Sequence, residues 1–224
     1  MPPEFEAIYA DHYKENRDGA SAASGLAQKL ESWMHRKAAA DSEPNKRTLE
    51  IGAGTLNHLP YEPDVRNYEI VEPFNYLFEA SPLLNRVTEI YTDISEIPPE
   101  KEYERIISIA TFEHICELPA VVSRCGRHLA QGGCLRTAIP SEGTILWKLG
   151  YKLTTGFEFK RKYGLEYETL MRHEHVNTAA EIEEVLRYFF ADVRRNVFGI
   201  APSLSIYQFF RCSEPIENRC SEYA

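Results

Sequence analysis

No stretch of this chain approaches the roughly 18 uninterrupted apolar residues of a membrane span, so no transmembrane helix is expected. There is no Cys-x-x-Cys pair. The five cysteines (Cys116, Cys125, Cys134, Cys212 and Cys220) are odd in number, which argues against a disulfide framework or a zinc knuckle and fits reduced thiols in a cytoplasm. The opening Met-Pro-Pro-Glu-Phe-Glu has no apolar core of the kind a secretory signal carries, so a cytoplasmic location is expected. A basic excess is also missing. The formal net charge is −9, which argues against broad, phosphate-driven binding of nucleic acid and leaves small molecules of either sign as partners. Internal repeats and low-complexity tracts are absent as well.

What is present is an ordinary globular composition in 224 residues, enough for one sizeable domain. It is organised around Arg47-Thr48-Leu49-Glu50-Ile51-Gly52-Ala53-Gly54-Thr55-Leu56-Asn57, a short apolar run that breaks at two glycines spaced by one residue. Glycines there let the backbone turn sharply at a strand's end and remove side chains that would hold a ligand off the main chain. In an open α/β sheet that is where a nucleotide-like cofactor sits.

Strands are expected at Thr48–Ile51, Tyr68–Val71, Val87–Tyr91, Arg105–Ala110 and Cys134–Ile139. Between them lie apolar stripes at helical spacing. One is Phe74, Leu77 and Phe78; another is Val121, Val122, Cys125, His128 and Leu129. Such alternation implies an α/β, doubly wound, mostly parallel sheet with helices on both faces. Pro60 and Pro63 make the first crossover short or irregular. Residues 1–45 read as an N-terminal helical cap with two apolar sets: Phe5, Ile8 and Tyr9, then Leu26, Leu30, Trp33 and Met34. Residues 46–140 read as a cofactor-binding core and 141–178 as an insertion over the active edge. Residues 179–224 read as a closing helix (Ile182, Val185, Leu186, Phe189 and Phe190, capped by Asn177 or Thr178) and an antiparallel pair, Val193–Phe198 with Leu204–Arg211.

A nicotinamide fingerprint needs Gly-x-Gly-x-x-Gly, and the last position here holds Asn57. Glu50, inside an apolar strand, is costly to bury without a partner and points to a ligand that is cationic or donates hydrogen bonds. Glu72 follows the second strand and Asp93-Ile94 the third. The fourth ends in Ile109-Ala110-Thr111-Phe112-Glu113-His114, a polar and aromatic cluster.

Taken in order, these residues resemble the class I S-adenosylmethionine-dependent methyltransferases over about residues 47 to 140. Leu49-Glu50-Ile51-Gly52-Ala53-Gly54 looks like the first motif, Ile70-Val71-Glu72-Pro73 the second, Thr92-Asp93-Ile94 the third and Arg105 through Ile115 the fourth. Leu129-Ala130-Gln131-Gly132-Gly133-Cys134-Leu135 looks like the approach to the fifth strand. The Phe-Glu-His-Ile run is similar to small-molecule enzymes of the ubiquinone-biosynthesis-like branch. Leu56 stands where the family often has a third glycine. The resemblance implies a seven-stranded sheet with its last strand reversed and S-adenosylmethionine as cofactor. It implies a site that includes Glu50, Gly52, Ala53, Gly54, Glu72 on the ribose, Pro73, Asp93 on the adenine, Ile94, Ala110 and Thr111. Removing the Glu72 carboxylate is expected to weaken cofactor binding with little effect on the fold.

The implied reaction is attack on a sulfonium methyl by a small-molecule acceptor, at oxygen or nitrogen, in secondary metabolism or surface-glycan assembly. A general base is needed only where the acceptor is protonated at working pH. The candidates are His114, past the fourth strand, and His173 and His175 in the insertion. His173 and His175 could bind a metal, but no further ligand stands at recognisable spacing, so no metal site is expected. Tyr13 and Arg17 could close over the methionine end, the Arg pairing with its carboxylate. Glu113 and His58 read as solvated loop residues. The basic-aromatic run from Lys148 to Tyr167 suggests an acceptor with an anionic handle. Two other readings stay open: a nicotinamide-dependent oxidoreductase and a non-catalytic module that binds the same cofactor.

Overall fold

The computed structural model describes residues 22–62, 65–144 and 175–223. The expectations for Phe5, Ile8, Tyr9, Tyr13, Arg17, Lys148 to Tyr167 and His173 lie outside the described residues.

Helix α1 (Ala22–Ala39) leads into β1 (Thr48–Ile51), β2 (Tyr68–Val71), β3 (Glu89–Tyr91) and β4 (Tyr103–Ile109). Then come α2 (Leu118–Arg127), β5 (Leu129–Pro140), α3 (Ala179–Phe189), β6 (Phe190–Ala201), β7 (Leu204–Pro215) and α4 (Glu217–Glu222). The seven strands form one sheet in the order β3-β2-β1-β4-β5-β7-β6. β1 to β5 run parallel, and β7 is antiparallel to both β5 and β6. All four residues of β1 and of β2 are buried, as strands covered on both faces require.

Successive residues feed opposite faces. Leu49, Ile51, Val71 and Ile106 pack with Leu118 and Val122 of α2, Ile182 and Leu186 of α3, and Cys220 of α4. On the other face Tyr68, Ile70 and Ile107 meet Leu56 and Leu59. Ile109, Ala138, Tyr207 and Phe209 meet Met34 and Ala38 of α1 there. Helix α3 starts with a capping box. Thr178 accepts from the Glu181 backbone N–H, and the Glu181 carboxylate accepts from the Thr178 N–H.

Several boundaries differ from the sequence reading. The Phe74, Leu77 and Phe78 stripe is not a helix but a single 3-10 turn, Asn75–Leu77. Pro73 and Pro82 bracket it too closely for a nucleated α-helix, and Phe74 is left 54% exposed. His128 and Leu129 lie past the end of α2, and Phe190 opens β6. β3 starts two residues late, at Glu89. β4 starts early and stops at Ile109, because Ala110 takes a left-handed φ of 50°. β5 is twice the expected length and runs through Gly132 and Gly133. The register against β4 shifts there, and a Cβ on Gly133 would meet the carbonyl oxygens of Ala130 and Tyr103 at 2.9 and 3.0 Å. The long β6–β7 ladder carries both final strands beyond their expected ends. No helix among the described residues is long and apolar enough to cross a membrane.

Candidate functional site

β1 and β4 are neighbours, while the chain crosses from β1 toward β2 on one side and from β4 toward β5 on the other. That is a topological switch point, and ligands bind outside the carboxyl ends of its strands. The parallel ladders run straight into this edge. Gly52 N–H donates to Val71 O, Glu72 N–H to Tyr91 O and Ala110 N–H to Ala138 O, at 2.8–2.9 Å. Gly52, Glu72, Thr92-Asp93 and Ala110-Thr111 therefore line one rim.

The loop after β1 is wound by three left-handed residues: Gly52 (φ 75°), Gly54 (φ 52°) and Leu56 (φ 64°). A Cβ on Gly52 would lie 2.3 Å from Thr111 Cγ2 and 2.4 Å from its Oγ1, so Thr111 seats directly on the glycine across the switch point. The Thr111 hydroxyl donates to Ile109 O at 3.1 Å and approaches Gly52 O at 3.4 Å. Leu56 is fully buried, and Leu is rare in this conformation, so burial holds it where a glycine would be relaxed.

Glu72 is buried and fastens the loop: one oxygen accepts from Gly54 N–H at 2.8 Å, the other from Phe74 N–H at 3.1 Å. These two bonds give Glu72 a structural role beside the one expected of it at the cofactor. Pro73 beside it is exposed. Asp93 caps the turn after β3, accepting from Ser95 N–H at 2.8 Å and Ser95 Oγ–H at 2.5 Å. Those bonds lower its carboxyl pKa, and its side chain is exposed. Ile94 points into the core, and Ala53 packs beneath the loop. Glu50 is 2% exposed, and its described partner belongs to the protein: Tyr68 Oη–H donates to it at 2.7 Å. Burial pushes the Glu50 carboxyl up to about 8, so it holds its proton at neutral pH.

His58 and Glu113 depart from the sequence reading, since both are buried. His58 faces inward from the turn after the glycine loop, with Nε2 2.8 Å from Glu62 Oε1 and Nδ1 3.1 Å from His35 Nδ1. Glu62 takes a bidentate contact from the Arg105 guanidinium at 2.8 and 3.1 Å. Arg105 also donates to Asp41 Oδ1 at 3.0 Å. Glu62 is held at about 2: its hydrogen bonds to His58 and Arg105 overcome the effect of burial. Burial lowers His35 to about 4, helped by His58 alongside. This network ties α1 to β4 beneath the glycine loop and does not reach the rim.

Glu113 sits in the 3-10 turn Phe112–His114 just past β4, 1% exposed. Neither carboxylate oxygen has a hydrogen-bond partner among the described residues, and burial raises its pKa to about 7. The returning end of the insertion docks on the same turn. Val176 N–H donates to Glu113 O at 2.8 Å, and Asn177 Nδ2 donates to Phe112 O and Ile115 O at 2.8 and 2.7 Å. This clamp brings His175 to His114, ring centroids 4.7 Å apart and edge to face. Sequence reading missed Asn177 as the clamp and Phe74 as an exposed ring beside Glu72. Pro73 and Pro82, which bracket that turn, were the available signal for Phe74.

A family model described as a methyltransferase domain matches residues 22–187. No curated protein sequence matches the chain. Among solved structures, a SAM-dependent methyltransferase from Thermotoga maritima superposes with a TM-score of 0.56 at 18% identity, over 84% of this chain and 95% of that one. Phosphoethanolamine N-methyltransferase 2 of Haemonchus contortus, in complex with S-adenosylhomocysteine, gives 0.58 at 14%, over 84% and 53%. N-methyltransferase NodS of Bradyrhizobium japonicum, also with S-adenosylhomocysteine, gives 0.56 at 14%, over 90% and 98%. At these identities the likeness is one of fold.

Proposed function

The chain belongs to the methyltransferase-domain family, and we propose that it transfers the methyl group of S-adenosylmethionine to oxygen or nitrogen of a small molecule. The observation that carries this reading is the rim itself. A left-handed glycine loop, a buried acid after β2 and a capped acid after β3 stand side by side at the switch point.

In this reading the main chain of Gly52, Ala53 and Gly54 runs under the methionine and ribose. Glu72 accepts from the ribose hydroxyls, exchanging its bond to Gly54 or Phe74 for them. Asp93 accepts from the adenine amino group, with Pro73, the exposed Phe74 ring and the Ile94 backbone around the base. Ala110 and Thr111 form the wall opposite Gly52, and Glu50, protonated, stiffens the strand below. From the sequence alone, Tyr13 and Arg17 are assigned to closing the methionine end. The chemistry asks chiefly that nucleophile and methyl be held in line with water excluded. His114 and His175 border the acceptor space, where either imidazole can take a proton from a hydroxyl or ammonium acceptor; His173 stays a candidate from the sequence alone. Residues 46–140 would serve as the cofactor core and 141–178 as the acceptor-facing segment. A small acceptor of the ubiquinone-biosynthesis-like branch, with an anionic handle, fits the basic-aromatic composition of 148–167. The phosphoethanolamine enzyme of like fold points to the same kind of handle.

The test is turnover: incubation with methyl-labelled S-adenosylmethionine and a panel of anionic amines, phenols and sugar phosphates, counting labelled product and S-adenosylhomocysteine. Labelled product that disappears in His114→Ala and His175→Ala supports the reading. Binding of the cofactor with no transfer to any member of the panel favours a binding module.

A further inference from the structure

The buried carboxylate of Glu113 has an unresolved problem. At 1% exposure it is shut off from solvent, and among the described residues neither oxygen has a hydrogen-bond partner; His114 Nε2 stands 3.9 Å from Oε1. A buried polar group left unpaired costs on the order of 1–3 kcal/mol, and more for a charge. Such a group in a native fold calls for an explanation, and an ion absent from the bare protein is one. The surroundings indicate what that is. One carboxylate oxygen of Glu113 and one ring nitrogen each of His114 and His175 lie within 4.8 Å of one another.

From these three side chains we infer a binding site for a divalent transition-metal ion at the carboxyl edge of β4, with Glu113, His114 and His175 as its protein ligands.

Two imidazoles and a carboxylate suit zinc, manganese or iron better than magnesium or calcium, which prefer all-oxygen sets. Metal–ligand bonds of about 2.0–2.2 Å set ligand atoms roughly 3–3.5 Å apart, so the widest pair, at up to 4.8 Å, must close by about 1.5 Å. His114, with 43% of its side chain exposed, has room to make that movement. A support of the expected kind is already in place: His175 Nδ1 lies 3.1 Å from Glu142 Oε2, the carboxylate partner common behind a metal-ligating imidazole. The Asn177 clamp holds the two ends of the site together. No spacing rule could reveal this set, because Glu113 and His114 come from the end of β4 and His175 from the far end of the insertion.

Three protein ligands leave coordination positions open. Resting on the methyl-transfer reading, those positions take an anionic or hydroxyl oxygen of the acceptor beside Thr111 and the glycine loop, and with the metal bound the two imidazoles act as ligands instead of as proton acceptors.

The experiment uses the full chain stripped with a chelator, titrated calorimetrically with Co2+, Zn2+, Mn2+ and Mg2+, with Co2+ also read by its visible d–d absorption. The expected result is one tight transition-metal site per chain and little Mg2+ binding. Binding should be lost in His175→Ala and in Glu113→Gln and be weakened about 10- to 100-fold in Glu142→Gln. It should be unchanged in Cys116→Ser, which removes the exposed thiol nearby. Circular dichroism checks that each variant is folded. His114→Ala, at an exposed position, keeps the test valid if Glu113→Gln fails to fold. No binding to the stripped wild type, binding as tight as wild type in both His114→Ala and His175→Ala, or loss of binding in Cys116→Ser overturns the site. Titration of the same stripped protein with S-adenosylhomocysteine separates the two ideas. If it binds while the metals do not, the metal site alone falls. If metals bind while it does not, the cofactor reading alone falls.

Discussion

Replacing Gly52 by alanine tests how tightly the glycine loop and the end of β4 are joined. Two costs add. An L-residue at φ 75° loses about 1–2 kcal/mol to left-handed strain. The new Cβ would also stand 2.3–2.9 Å from three atoms of Thr111, and forced overlap in packed structure costs about 1–3 kcal/mol. The variant should lose roughly 2–5 kcal/mol in urea unfolding followed by circular dichroism. It should also bind S-adenosylhomocysteine more weakly, because the loop can relieve the overlap only by moving. The sharper measurement is the double variant with Thr111→Gly, which removes the colliding atoms. Thr111→Gly alone gives up hydrogen bonds of about 0.5–1.5 kcal/mol each, the longer at the weak end, and some chain entropy. In the pair the overlap vanishes and only the strain remains, so the double variant should be more stable than the sum of the singles by about 1–3 kcal/mol. Additive effects, within about 0.5 kcal/mol, would refute direct contact across the switch point.

Three further outcomes follow from the same geometry. Glu62→Gln leaves the buried Arg105 with Asp41 as its remaining carboxylate contact and should cost about 3 kcal/mol, whereas Glu62→Leu with Arg105→Met should cost far less; calorimetric melting compares them. Glu50 carries its proton in the fold up to about pH 8 and loses it in the unfolded chain near its usual 4.5. The native state therefore binds more protons between those values, and the stability from this group is present below 4.5 and lost as pH rises toward 8. Glu50→Gln cannot ionise, so its stability relative to wild type should rise with pH across that window by an amount on the order of 5 kcal/mol, read by urea unfolding at several pH values. A constant difference would mean that Glu50 is ionised in the fold. Glu72→Ala should lose both cofactor affinity and about 1–3 kcal/mol of stability, since two backbone N–H groups lose their acceptor.

The sheet was largely legible, because its signals are local. Thr48–Ile51 and Tyr68–Val71 are short apolar runs ended by residues that break a strand, and both match in full. The reversed final pair follows from a connection too short for a crossover helix. Elements whose limits depend on partners were less legible. β5 reaches back to Leu129 and β6 to Phe190 because neighbouring strands offer hydrogen bonds there. Phe74, Leu77 and Phe78 carry helical spacing without the length between prolines to use it. In the site, the rim residues could be placed at strand ends by counting. Burial could not, since Glu113 is buried by segments that return from elsewhere and His58 lies under α1. Glu50 did need a partner, and the fold supplies Tyr68, two residues out of register on the next strand.

The central claim is that the rim between β1 and β4 holds S-adenosylmethionine. Isothermal titration of the chain with S-adenosylhomocysteine and, separately, with NAD addresses it most directly. The account predicts one S-adenosylhomocysteine site per chain, weakened in Asp93→Ala and in Gly52→Ala, and no NAD binding. Tight binding of NAD with no response to S-adenosylhomocysteine would contradict it.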